Sequence, residues 1–132
     1  MELIGHKTKA LFDLWSICHF FTGIAIGGVI EKSLGKKFVI NGKTSLFFIL
    51  ILAYSWELLE FILESGGAGA DIAYWFHGRE YYLNRLLCDP LLVLVGYVTG
   101  QKFPLLTWPV RVLLVGWLWL FTIILPHSMA YY

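Results

Sequence analysis

Three glutamates, Glu57, Glu60 and Glu64, stand in the stretch "WELLEFILE" at the end of the apolar run SLFFILILAYS. Carboxylates inside so apolar a segment are costly unless paired, protonated or bound to a cation. Acids of this kind are the groups that do acid–base work or hold a metal. Four further polar residues sit in apolar surroundings: His19, Asn84, Arg85 and Asp89. A His with carboxylates suits zinc, manganese or non-haem iron. The candidate catalytic residues are therefore Glu57, Glu60, His19 and Asp89, with Arg85 and Asn84 in support. The same His19, Glu57, Glu60 and Asp89 form the candidate ligand set for a divalent metal ion.

The local spacing matches no compact metal motif. E-x-x-E lacks the His of the di-iron E-x-x-H pattern. Neither H-E-x-x-H nor G-x-S-x-G occurs. The glycines of "SGGAGAD" at 65–71 lack the strand–Lys–helix context of a phosphate loop, and read as a flexible outer loop or lid with Tyr74, Trp75 and Phe76 at an interface.

The elements that position these residues follow from composition. The 132 residues are 58% hydrophobic and 14% charged, with a mean hydropathy of +0.71. Soluble domains run at about 45–50% apolar and about 25% charged. The expectation is a single all-α domain over 1–132, a polytopic membrane protein with a four-transmembrane-helix bundle. Stretches of about 20 apolar residues fall at 14–30, 45–64, 83–101 and 107–125. The runs are too long and too unalternating for barrel strands. A net charge of +1 and the lack of any recognition motif argue against nucleic acid. Cys18 and Cys88 are too few for a disulfide framework and read as small buried hydrophobes.

In an antiparallel four-span protein, odd spans start on the side where even spans end. His19, Glu57, Glu60 and Asp89 then all lie roughly 6–11 Å below one surface, at about 1.5 Å per residue. Glu64 falls nearer the surface, in the headgroup region, and reaches water. Faces agree as well as depths. His19, Gly23 and Gly27 form one helical stripe, and Asp89 is in phase with Gly96 and Gly100. Each glycine pair is a G-x-x-x-G, which lets helices approach closely. Arg85, four residues before Asp89, is the natural ion-pair partner for one acid. His77 and His127 read as interfacial. Lysines at 32, 36, 37, 43 and 102 put loops 31–44 and 102–106 in the cytoplasm. The polar layer then lies in the extracytoplasmic half of a plasma or inner membrane.

These residues together resemble a family of bacterial inner-membrane proteins, the domain-of-unknown-function 2585 family, and more loosely VanZ-like proteins. The likeness runs from Asp13, His19 and Gly23, as D-x5-H-x3-G, through Trp56, Glu57 and Glu60. It ends with Tyr81, Tyr82, Asn84, Asp89, Gly96 and Pro104 in "YYLNRLLCDPLLVLVGYVTGQKFP", covering about residues 13–104. It implies the membrane fold and the choice of residues, and supplies no reaction. The family spaces its Asn and Asp by four residues. Here the spacing is five, which on a regular helix rotates Asn84 by about a third of a turn.

Three roles fit. The first is a membrane-embedded acid–base or metal site for a lipid-like or amphipathic substrate. The second is a non-enzymatic small subunit or stabilising partner in a larger membrane complex, with the polar layer as interhelical glue, whereas a homo-oligomer would count against it. The third is cation or proton passage, which a single polar layer supports least.

Overall fold

A computed structural model describes residues 2–27, 29 and 42–124. Helices occur at all four apolar stretches. They are α1 (Leu14–Ala25), α2 (Gly42–Glu64), α4 (Asp89–Lys102) and α5 (Thr107–Trp119), with a short α3 (Ala70–Phe76) between α2 and α4. Two helical stretches, Gly42–Glu64 and Pro104–Ile124, are long and apolar enough to cross a membrane, with mean hydropathies of 2.0 and 1.6. The described part of α1 is 12 residues long. His127 and the 31–41 connection lie outside the described residues.

Each helix starts and stops for a local reason. Asp13 caps α1: its carboxylate accepts from the Trp15 and Ser16 amides while the Ser16 hydroxyl accepts from the Asp13 amide. This reciprocal pairing satisfies donors the helix itself leaves unpaired. The other end of α1 is held by Arg111 of α5, whose Nε donates to the Ala25 carbonyl at 2.8 Å. A cation there also complements the helix dipole. Pro104, following the last turn of α4, opens a 3-10 turn (Pro104–Leu106) that leads into α5.

The two glycine pairs meet. A Cβ on Gly27 would lie 3.1 Å from the Gly100 backbone, and one on Gly96 would lie 3.1 Å from the Gly23 Cα. No side chain separates α1 from α4 there, and this is the most extensive helix contact in the fold. A small apolar core of Ile49, Ala53, Val93 and Tyr97 joins α2 to α4.

Three features were not expected. Residues 2–12 form two short parallel strands, β1 (Glu2–Ile4) and β2 (Ala10–Phe12), with Glu2 opposite Ala10 and Ile4 opposite Phe12. The loop between them is closed by the Lys9 and Ala10 amides, both donating to the His6 carbonyl at 2.9 Å. Three-residue pairings leave no periodicity to read in a sequence. The 65–82 connection, expected as a flexible loop, carries α3, which ends at His77 in the left-handed conformation (φ 55°).

The third is that Asn84–Cys88 forms a π-helical turn ahead of α4, closed by the Asp89 amide donating to the Asn84 carbonyl. Closing i to i+5 absorbs one extra residue. Asn84 therefore sits one turn below Asp89, and both are fully buried. The rotation expected from regular helical geometry does not occur.

Candidate functional site

His19 is the centre of the buried layer. Its Nδ1 lies 3.5 Å from Glu57 Oε1 on α2, and its Nε2 lies 3.3 Å from Asp89 Oδ2 on α4. The bare glycine contact between α1 and α4 is what brings this ring against Asp89. Glu60 completes the arrangement: one donor atom each from His19, Glu57 and Glu60 fall within 4.8 Å of one another, and all three residues are buried. Glu57, Glu60, His19 and Asp89 are thus brought together as the sequence predicted.

Arg85 does not pair with Asp89. Its Nη2 lies 2.7 Å from Glu64 Oε2 and 3.3 Å from Glu80 Oε2, and its Nε lies 3.7 Å from Glu57 Oε2. The π-helical turn is the reason, because it places Asn84 rather than Arg85 beneath Asp89. Asn84 is a member of the layer rather than a side-chain cap. Its amide nitrogen donates to Glu80 Oε1 at 2.9 Å, and its oxygen accepts from the Ser16 hydroxyl at 3.4 Å.

Glu64 does not reach water. Its carboxylate is 0% exposed and lies between Lys7 Nζ at 2.9 Å and Arg85. The Glu80 amide also donates to it, at 3.0 Å. Lys7, which the sequence did not single out, is 2% exposed. It reaches Glu64 from the β1–β2 loop, which is docked by the Tyr81 amide donating to the Lys7 carbonyl at 2.8 Å. The expectation failed because it treated residues outside the spans as solvated.

Glu80 was missed for the same reason. The sequence held one signal, an acid in "REYY" directly before an apolar stretch. Burial pushes its carboxyl up to about 10, reinforced by Asp89, Glu60 and Asp13 and opposed by Arg85. Burial likewise raises Asp13, against the two amides that hydrogen-bond it. Cys18 and Cys88 are buried and free.

The charges do not balance. Six buried carboxylates, at Asp13, Glu57, Glu60, Glu64, Glu80 and Asp89, face two buried permanent cations, Lys7 and Arg85, among the described residues. Several acceptors are also unanswered. Both oxygens of Glu57, both of Asp89 and Oε2 of Glu80 are buried without a hydrogen bond of acceptable geometry. Buried polar groups are rarely left so.

A groove of about 510 Å³ opens beside the layer, between α2 and the π-helical turn. Tyr54, Leu58, Phe61 and Leu86 make its apolar wall, and Glu57, Glu80, Arg79 and Arg85 its polar end. The Tyr54 hydroxyl donates to the Leu86 carbonyl at 3.0 Å, fixing that wall.

Comparison with family models, with curated proteins and with solved structures finds no match to this chain.

Proposed function

We propose that this chain is a four-span integral membrane protein whose buried layer binds a divalent cation and acts on a lipid-like substrate. The observation that carries the reading is the set of unanswered, buried oxygens on Glu57 and Asp89 around His19. Membrane embedding is supported by the outer surface. Only 6% of the apolar window in Pro104–Ile124 is buried within the protein, and exposed apolar area on this scale suits a lipid or protein environment. The resemblance to the domain-of-unknown-function 2585 family rests on the same residues. The lysine bias puts the layer in the extracytoplasmic half.

His19, Glu57 and Glu60 are the ligands of the cation in this reading. Ligand distances of about 2.0–2.2 Å put the donors of a tetrahedral site about 3.4 Å apart, so a set lying within 4.8 Å draws in by up to about 1.4 Å on binding. Asp89 faces the other ring nitrogen of His19, the usual arrangement that fixes a ligand's tautomer. A bound cation supplies Lewis acidity and a water that ionises near neutral pH. In this reading the oxygen of Glu60 not used as a ligand moves the proton. The groove admits an acyl chain against Leu58, Phe61 and Leu86 and presents a headgroup to Arg79 and Arg85.

The test is metal analysis together with lipid mass spectrometry on protein purified in mild detergent. A divalent transition metal and a co-purifying lipid are expected. The metal should be lost in His19→Ala and Glu57→Gln. Metal-free protein that does not take up Mn²⁺ or Zn²⁺ on dialysis would overturn the reading.

A further inference from the structure

We propose that the layer holds two cations, the second bound by Glu57, Glu80 and Asp89, with Glu57 bridging to the first. The inference rests on the reading above and extends it to a donor set that the sequence did not indicate. One donor atom from each of Glu57, Glu80 and Asp89 lies within 4.8 Å of the others. An acidic cluster alone would say little. Here each residue is more than nine-tenths buried, and each aims an oxygen into the cluster that no hydrogen bond answers.

The surroundings select which oxygens are available. Asn84 holds Glu80 Oε1, while Oε2 lies 3.3 Å from Arg85 Nη2 without a hydrogen bond of acceptable geometry. Asp89 turns Oδ2 to His19 and has Oδ1 free for a cation. Glu57 belongs to both donor sets, and neither of its oxygens has a hydrogen bond of acceptable geometry. The charge count agrees in size. Fully ionised, the six buried carboxylates would exceed Lys7 and Arg85 by four charges among the described residues, the charge that two divalent cations cancel.

The two positions differ in access. Glu57 and Glu80 line the groove, whereas His19, Glu60 and Asp89 do not. The second cation is therefore the one that an oxygen entering by the groove meets, and the first sits behind it. Carboxylate-bridged pairs about 3.5–4 Å apart clamp an anionic or carbonyl oxygen between them. The ligand class is a lipid with an oxyanion or ester headgroup, its charge met by the second cation and by Arg79 and Arg85 at the groove's polar end.

The experiment is titration of metal-free protein in detergent with Mn²⁺, read by the number bound per chain and by electron paramagnetic resonance. Two ions per chain and an exchange-coupled spectrum are expected. Glu80→Gln should bind one, with the six-line spectrum of an isolated ion, and Glu57→Gln should lose the coupling. One ion per chain in the parent, or two uncoupled ions, overturns the proposal and leaves the single-cation reading standing. No bound ion overturns both. The parent spectrum decides the matter even if a variant fails to fold.

Discussion

Asn84 and Asp89 lie five residues apart yet occupy successive turns of one helix face, because the turn between them is π-helical. That single extra residue decides the electrostatics of the layer. It aligns Asn84 with Glu80 and Asp89 and sends Arg85 to Glu57, Glu64 and Glu80 instead.

Deleting Leu87, an exposed residue of the π-helical turn, should therefore be tolerated. The turn can close as an ordinary α-turn, which brings the Asn84 carbonyl and the amide of the following Asp to i, i+4 spacing. Stability in detergent should fall by no more than about 1 kcal/mol, roughly one hydrogen bond, and metal uptake should persist. A deletion variant that unfolds or loses its metal would show that the π-turn itself is required.

Gly23→Ala should be strongly destabilising, whereas Gly116→Ala should be neutral or stabilising. A Cβ at Gly23 meets the Tyr97 amide nitrogen at 2.7 Å and the Gly96 carbonyl carbon at 3.0 Å, backbone that cannot step aside. Overpacking of this kind costs about 1–3 kcal/mol. A Cβ at Gly116 meets nothing within 4 Å, and alanine there gains up to about 1 kcal/mol of helix propensity. Thermal unfolding in one detergent compares the two directly, and equal shifts would refute the helix-contact argument.

Arg85→Met should cost more than Lys7→Met. Arg85 faces three carboxylates, and removing it leaves buried charge unanswered, at about 3–5 kcal/mol. Lys7 answers Glu64 alone, and Glu64 keeps Arg85 and the Glu80 amide. The loss there should be nearer 1.5–3 kcal/mol, roughly that of a charged hydrogen bond. Chemical unfolding of both variants gives the order, and the reverse order would count against this assignment of partners.

Metal-free protein should lose stability as pH rises, through Glu80. Burial raises its carboxyl from 4.5 to about 10, so the folded chain holds the proton more tightly than the unfolded one. That contribution is complete below the unfolded value and is lost as pH climbs toward about 10. Glu80→Gln stays neutral throughout. Its stability profile should be flatter between about pH 5 and 10, and parallel profiles for parent and variant would remove Glu80 from the account.

Much of this arrangement was legible in the chain. The in-phase glycines foretold close helix contacts on the faces of His19 and Asp89 without naming the partner helices, and depth arithmetic grouped His19, Glu57, Glu60 and Asp89. Both arguments use regular helical geometry within apolar runs, and they work where that geometry holds. Arg85 was misassigned where the helix departs from 3.6 residues per turn. Lys7, Glu64 and Glu80 were misplaced or missed because chain outside the spans folds back over the layer. Nothing in a local window records that a lysine at position 7 meets a glutamate 57 residues later.

That separation has a consequence for assembly. Lys7 leaves the ribosome well before Glu64, which holds its side chain, and before Tyr81, which holds its backbone. The loop that seals the layer is thus made early and docks late, after α2 and the 65–82 connection are in place. Until then the loop does not cover the interior acids. That interval is when a cation or a lipid headgroup has its easiest path inward, so loading during biogenesis should be faster than exchange into the finished protein.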